Sequence, residues 1–247
     1  MKNLLLILIF ALAMFSSCKK GGVTDCFHSA GNMTKEERSI DNFSNILLKD
    51  NVNLILSKSE NYGITVEAGS NLVDGIITQV DDNGVLEIRN DNRCNWVRSF
   101  DNPVNVYLDY IDIDSIEYRS IGDVSTVDTL TTDTLWLKVL EGAGQINLKL
   151  NVNRLYCALN YGTADIILEG RCGLAFVYSA SFGLINMLDL ESTFVFMNNR
   201  SSNDVYVRVT NQLGATIENV GNIYYAGNPP VVNLNKIGSG ELIKLPD

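Results

Sequence analysis

Asp165 and Asp204 come closest, by residue type and spacing, to a pair of catalytic groups. Each stands just before the aliphatic residue of a short turn, and such turns recur every 18 to 22 residues along the chain. If successive turns stack at the interstrand distance of about 4.8 Å, carboxylates two turns apart lie about 9.6 Å from each other. That separation is near the upper end of the range used by inverting glycosidases, in which one carboxyl group is the general acid and the other the general base.

The neighbours of this pair do not favour catalysis. Leu184 occupies the equivalent position between the two acids, and the only histidine of the chain is His28. The motifs of zinc proteases, phosphate-binding loops and serine hydrolases do not occur in the sequence. We therefore expect no enzyme, cofactor or metal site, and we keep a polysaccharide-active enzyme that uses Asp165 and Asp204 as the alternative.

The start of the chain predicts export. Residues 1–17 combine Lys2, an apolar run over residues 4–15 and two serines directly before Cys18. This is the pattern of a signal peptide, and the run is shorter than the roughly 20 apolar residues of a membrane-spanning helix.

Cys18 is the predicted site of lipid attachment. The segment Phe15-Ser16-Ser17-Cys18 resembles the bacterial lipobox, whose cysteine receives a diacylglyceryl group and becomes the new N-terminus after cleavage. Several acyl chains anchor a protein durably, so we expect a cell-envelope protein held in the outer membrane by its N-terminal lipid. Residues 19–22 carry no acidic side chain, which favours the periplasm-facing side over the cell surface.

Four further cysteines are Cys26, Cys94, Cys157 and Cys172. The cell envelope permits disulfides, and four cysteines allow three connectivities. The repeat described next places Cys157 in a column of core residues, where a thiol acts as a small hydrophobe. We prefer a disulfide between Cys26 and Cys94, with the other pairings open.

From about residue 113 the chain repeats a Gly-x-aliphatic turn. The aliphatic residues, which we call the anchors, are Val124, Ile146, Ile166, Ile185, Val205, Ile223 and Leu242. Glycine opens five of the turns, and Ala164 and Asn203 replace it in the other two. Evenly spaced turns of this kind indicate a solenoid, and we expect positive φ at the corner glycines.

A second strand precedes each of the middle anchors. Stacking these strands predicts two inward columns, the first of Leu135, Leu155, Leu174, Phe194 and Leu213 and the second of Leu137, Cys157, Phe176, Phe196 and Ala215. The columns favour an all-β fold, a right-handed parallel β-helix-like coil of about seven 18–22-residue repeats with a less regular β N-terminal part. A β-sandwich or an up-and-down barrel is the competing architecture.

The N-terminal part, residues 40–112, lacks this regularity. Asn83-Gly84 between two apolar runs predicts a β-hairpin, so we expect antiparallel strands to cover one end of the coil. The predicted organisation is a signal peptide over residues 1–17, a lipidated tether over 18–39 and one β domain over 40–247.

The charge of the chain limits its expected partners. The formal net charge is −10 at pH 7, and no cluster of Lys and Arg occurs. We expect no nucleic acid partner because phosphate binding needs clustered cations. Among the aromatic residues, Trp96, Trp136, Tyr224 and Tyr225 are candidates for stacking on sugars, with packing at the core or its ends as the other interpretation.

These features, in this order, resemble the putative auto-transporter adhesin head GIN domain family. The similar segments are Ile64–Ala68 with Asn71-Leu72 behind it, Gly84–Ile88, the Gly-x-aliphatic turns, and Val220–Pro229 with Gly238-Ser239-Gly240 behind it. The resemblance covers roughly residues 40–245. It implies a secreted or lipid-anchored, β-rich domain without established catalytic residues. We therefore expect a non-catalytic binding, adhesin-like or scaffold module whose partner is a glycan or an envelope protein.

Overall fold

The computed structural model describes residues 29–92 and 103–246, and 65% of these residues form β-strands. A 3₁₀ turn, Val73–Gly75, is the only helical element in this part of the chain. In chain order the strands are β1 (Met33–Arg38), β2 (Asn45–Asp50), β3 (Asn53–Lys58), β4 (Gly63–Gly69), β5 (Ile76–Val80), β6 (Val85–Asn90), β7 (Asn105–Tyr110), β8 (Ser115–Ser120), β9 (Val124–Thr126), β10 (Leu130–Gly142), β11 (Gln145–Leu159), β12 (Asp165–Ser179), β13 (Ile185–Asn199), β14 (Val205–Ile217), β15 (Ile223–Ala226), β16 (Val231–Lys236) and β17 (Leu242–Lys244).

The anchors form a continuous inward column, as the sequence predicts. Each anchor is the parallel register partner of the next, from Val124 opposite Ile146 to Ile223 opposite Leu242. All but Leu242 are fully buried. A branched aliphatic side chain at this position therefore packs on the equivalent side chain one turn away, so the same contact repeats along the coil.

The long strands β10 to β14 each contribute to two faces of the coil. In β11 the pairing with β12 skips Asn153, which divides the strand into a half with the anchor and a half with the second column. The result is a β-solenoid of about six turns, where the sequence analysis expects about seven repeats.

The predicted second columns are wrong in their middle turns by one residue. The structure pairs Leu155 with Ala175 and Ala175 with Val195, and it pairs Cys157 with Val177 and Val177 with Met197. The inward columns are Leu135, Leu155, Ala175, Val195, Leu213 and Leu137, Cys157, Val177, Met197, Ala215. Leu174, Phe176, Phe194 and Phe196 therefore belong to the outer surface. Side chains alternate along a strand, so a slip of one residue moves the whole set to the opposite face.

The corner glycines also have a different role from the expected one. Gly122, Gly144, Gly183, Gly221 and Gly240 do not have positive φ. Instead, the backbone of the preceding turn lies against each of them: a Cβ on Gly144 would stand 2.2 Å from the carbonyl oxygen of Gly122. Glycine suits these five corners because the backbones of successive turns approach closely there, whereas Ala164 and Asn203 carry a Cβ at the two other corners.

The N-terminal part continues the coil and then closes it. β2 lies between β6 and β8, and β3 lies between β7 and β9, all in parallel pairing. Antiparallel strands cover the far side: β5 pairs with β6 through the turn at Asn83-Gly84, and β4 pairs with β7. The predicted hairpin is confirmed, with φ of 73° at Gly84.

β1 extends the antiparallel cover at this end. It pairs with β4 along its whole length, and Lys35 forms an ion pair with Glu67 at 3.4 Å. The sequence analysis expects residues 33–38 in the tether because they are polar. The structure places them in an edge strand of the domain instead, where charged side chains are common because they discourage further strand pairing.

The last turn, β15 to β17, ends the coil without such a cover in the described part of the chain. β16 pairs with β14 on one side, and Val232 and Leu234, the register partners of buried Leu213 and Ala215, remain exposed. Within residues 29–92 and 103–246 there is no helix long and apolar enough to cross a membrane.

Candidate functional site: an exposed aromatic ladder

Four aromatic side chains stack on the outer surface of β10 to β13, and we call them the aromatic ladder. They are Trp136, Tyr156, Phe176 and Phe196, and each is the register partner of the next. Successive ring centroids lie 3.8, 5.1 and 5.6 Å apart, with planes inclined by 6°, 11° and 21°. One ring per turn therefore lies nearly parallel to the ring before it.

The local sequence of each strand explains why these rings point outward. In β11 the residues on either side of Tyr156 are Leu155 and Cys157, and both are buried in the core. Strand alternation then directs the side chain between them away from the core. The exposed fractions are 41% for Trp136, 37% for Phe176 and 38% for Phe196, which is unusual for such large apolar side chains.

The ladder lines one side of an open groove of about 660 Å³, which we call the aromatic groove. The next outward column forms its other side. We call this column the polar row, and its in-register members are Lys138, Ala158, Tyr178, Asn198, Thr216 and Asn235. A volume of this size is within the range of small-molecule binding sites, which are predominantly apolar with a few polar groups.

Gly214 ends the ladder. It is the register partner of Phe196, and a Cβ at this position would lie 2.7 Å from Cδ1 of the Phe196 ring. The phenyl ring thus occupies the space that a side chain at residue 214 would need. The absence of that side chain lets Phe196 tilt toward the last turns, which agrees with the larger angle of 21° between Phe176 and Phe196.

Of the polar groups of the row, Nζ of Lys138 is available to a bound molecule, whereas the Asn198 amide is held inside the protein. Nζ of Lys138 lies 5.6 Å from the ring centroid of Trp136, and among the described residues it makes no ion pair. Nδ2 of Asn198 donates to Oε1 of Glu218 at 2.8 Å, while the buried Oδ1 of Asn198 has no hydrogen-bond donor within the described chain. The groove therefore combines an apolar wall with one cation at one end that is unpaired among the described residues.

The predicted acidic pair has a structural role. Oδ1 of Asp165 accepts the backbone N–H of Leu184 at 2.8 Å, and Oδ1 of Asp204 accepts the backbone N–H of Asn222 at 2.8 Å. Asp123 and Asn222 do the same for the turns that follow them. We call these four side chains the corner column. Each joins its turn to the next, which explains why polar residues recur there without a base or cation beside them.

The described cysteines are core residues. Cys157 and Cys172 are both free and buried, as the sequence analysis expects for Cys157. Burial raises the pKa of the Cys157 thiol to about 12 and that of Cys172 to about 11. Neither thiol is therefore activated for nucleophilic chemistry. Cys18, the predicted pair Cys26 and Cys94, and also His28 and Trp96, lie outside the described residues.

Two other predicted aromatic candidates, Tyr224 and Tyr225, lie on a different face. Tyr224 stacks on Tyr206 with ring centroids 4.8 Å apart, and Tyr225 packs against the core. Among the described candidates, Trp136 belongs to the ladder. Phe176 and Phe196 were assigned to the core from the sequence, and Tyr156 was not singled out. The signal was nevertheless present, since the four ladder residues recur every 20 positions.

The described residues contain no group of three or more His, Cys, Asp and Glu side chains that could hold a metal ion. The model of one protein family, the putative auto-transporter adhesin, head GIN domain, matches residues 42–229. The chain belongs to this family. Among curated proteins none matches the chain.

Three solved structures share the fold. A putative adhesin from Bacteroides fragilis is 21% identical, with a TM-score of 0.78 over 87% of this chain and 97% of that one. A putative lipid binding protein from Parabacteroides distasonis is 19% identical, with a TM-score of 0.68 over 87% and 98%. A putative adhesin from Parabacteroides merdae is 17% identical, with a TM-score of 0.65 over 88% and 98%. At these identities the likeness establishes the common fold.

Proposed function

We propose that this head GIN domain protein is a non-catalytic binding module of the cell envelope that contacts its ligand through the aromatic groove. The observation that carries the proposal is the ladder itself. Exposing four stacked aromatic rings to water is unfavourable, because each buried square ångström of apolar surface is worth about 25 cal/mol. Exposed apolar patches of this kind typically mark interaction sites.

The family supports binding rather than turnover. Two of the structural relatives above are putative adhesins and one is a putative lipid binding protein, and both descriptions name binding functions. The corner column also favours binding over turnover, because Asp165 and Asp204 already accept backbone hydrogen bonds. A polysaccharide-active enzyme would need these carboxylates free to exchange protons with substrate.

The groove is tested by comparing two phenylalanines that are both exposed. Phe176 lies in the ladder, and Phe182, which is 68% exposed, lies outside it. Binding of the full chain to envelope glycans, lipids and proteins is measured on an array before and after Phe176→Ala and Phe182→Ala. We expect the bound signal to fall in Phe176→Ala and to remain in Phe182→Ala. Equal signals from both variants would refute the groove as the contact face.

The enzyme alternative has its own test. Turnover is measured on a panel of polysaccharides with the wild-type chain and with Asp165→Asn. We expect no turnover by either protein. Glycan cleavage that disappears in Asp165→Asn would replace the binding module with the enzyme.

We further propose that the protein is held in the outer membrane, facing the periplasm, by a lipid on Cys18. The support is the short apolar run and the serines before this cysteine, together with the adhesin family. Radiolabelled palmitate should enter the wild-type protein in growing cells and should not enter Cys18→Ala. Labelling of both proteins would contradict the anchor. Protease added to intact cells should leave the wild-type protein uncut, whereas cleavage would place it on the cell surface.

A further inference from the structure

We infer that the ligand of the aromatic groove is a single-chain anionic amphiphile, whose aliphatic chain lies along the ladder and whose carboxylate head meets Lys138. The inference rests on the proposed binding function of the groove and specifies its ligand. It depends on three features of the described residues: the orientation of the rings, the length of the ladder and the position of the charge.

The orientation of the rings disfavours sugar stacking. A pyranose packs its C–H groups against the electron-rich face of an aromatic ring. In the ladder the faces of Tyr156 and Phe176 are covered by the neighbouring rungs at 3.8 to 5.6 Å. What these rings present to the groove is their edges. A row of ring edges is a continuous apolar strip, and a flexible aliphatic chain can follow it by dispersion contacts alone.

The length of the strip suits one extended chain. The ladder spans three steps between neighbouring strands, which is roughly 14 Å at about 4.8 Å per step. The groove is open along this length, so a chain can enter from the side without a change of backbone. Phe196 is the last aromatic rung, because the next positions of the ladder column are Gly214, which has no side chain, and the polar Asn233.

Lys138, at the end of the ladder opposite Phe196, determines which charge the head group of the ligand carries. Lys138 lies over Trp136, the first rung, and its register neighbour Glu117 is already paired with Arg119 at 2.8 Å. Lys138 is thus a cation that no described carboxylate neutralises, beside the start of an apolar strip in a protein with a net charge of −10. An anionic head is complementary to this site, and a cationic head is repelled by it.

The experiment uses the full chain purified with its native N-terminus and inserted into phosphatidylcholine vesicles. Three photoreactive probes carry the same diazirine: a long-chain carboxylate, a trimethylammonium amphiphile of equal chain length, and a neutral oligosaccharide. After irradiation, peptide mass spectrometry maps the labelled residues. Mapping separates the groove from any labelling near the membrane anchor.

We expect the carboxylate probe to label the peptides of β10 to β13 in a saturable manner, and the other probes to leave them unlabelled. Phe176→Ala should raise the half-saturating concentration about tenfold, because an apolar contact the size of a phenyl edge is lost. Lys138→Gln should raise it by about fivefold, as expected for one exposed charge pair. Phe182→Ala and Lys149→Gln are the matched controls and should leave it unchanged.

Other outcomes overturn the inference in distinguishable ways. Groove labelling by the oligosaccharide alone, lost in Phe176→Ala, would refute the amphiphile and keep the proposed binding function of the groove. Equal labelling by the cationic and anionic amphiphiles would refute the role of Lys138. Absence of groove labelling with all three probes would refute the amphiphile, and the array comparison of Phe176→Ala with Phe182→Ala would then decide whether the proposed function also fails.

Discussion

The corner column and the aromatic ladder both belong to the outer surface of the coil, yet they use it in opposite ways. At the corner, backbone lies on backbone and each polar side chain accepts an N–H of the next turn. In the ladder, side chain lies on side chain, and no backbone group depends on the rings. The residues that most resemble an active site are therefore part of the fold, whereas the exposed apolar residues are free to bind.

The largest difference between the two regions should appear when a methyl group is added to a glycine of each. In Gly183→Ala the new Cβ would lie 1.9 Å from the carbonyl oxygen of Ala164, and the backbone cannot withdraw without opening the coil. We expect a loss of about 3 kcal/mol in the free energy of unfolding, measured by urea denaturation. A loss no larger than that of Gly214→Ala, about 0.5 kcal/mol, would mean that the backbone at the corner can relax around an added Cβ.

The second effect concerns the corner hydrogen bonds. Asp204→Ala removes the acceptor of the Asn222 N–H, and we expect it to lower the free energy of unfolding by about 1 to 2 kcal/mol. Asp204→Asn keeps an oxygen at the same position and should cost clearly less. If both variants lost the same amount, the negative charge rather than the hydrogen bond would be the stabilising feature.

The third effect tests the core beneath the ladder. Burial raises the pKa of Cys157 to about 12, so the thiol ionises first in the unfolded chain, where its pKa is 9.0. Its contribution to stability is thus complete below pH 9 and declines as the pH rises toward 12. Between pH 8 and 10 the free energy of unfolding should fall by about 1 kcal/mol more in the wild type than in Cys157→Ala. Parallel pH profiles would show that the thiol is accessible to water.

The smallest effect on stability is expected in the ladder. In Gly214→Ala the new Cβ meets the side chain of Phe196, which can rotate away, so we expect a cost of about 0.5 kcal/mol. The displaced ring should nevertheless alter the ring-current shifts of Phe176 in NMR spectra. Unchanged shifts would mean that Phe196 does not depend on the glycine. Together with Gly183→Ala, this variant separates backbone stacking from side-chain stacking.

The sequence predicted the position of a residue most accurately where its type has a single structural role, as in the anchor column. The anchors were placed correctly in every turn because each stands two residues after a corner residue, which is glycine in five of the seven turns, so spacing alone aligns them. The second columns were misaligned because Leu174-Ala175-Phe176-Val177 offers apolar residues to both faces. The register with the neighbouring strands decides such a case, because Ala175 pairs with buried Leu155 and Val195, and that pairing exists only in the folded coil.

In the N-terminal part, too, the sequence predicted a local feature but not the pairing of distant strands. The hairpin at Asn83-Gly84 was predictable because the turn type requires residues that accept positive φ. The insertion of β2 and β3 between β6–β7 and β8–β9 was not, because these strands pair with partners far away in the sequence. For the same reason, the polar β1 looked like a tether until its partner β4 was known.

The sequence by itself determined the repeat, its period, the anchor column, the hairpin and the family. These depend on local spacing and residue type, which remain visible in a linear chain. The tertiary structure alone decided which apolar residues face outward, why glycine suits five of the corners, and that Asp165 and Asp204 serve the backbone. These features depend on contacts between residues about twenty positions apart. Such residues become neighbours only when the coil forms, so no local sequence pattern reveals the contact.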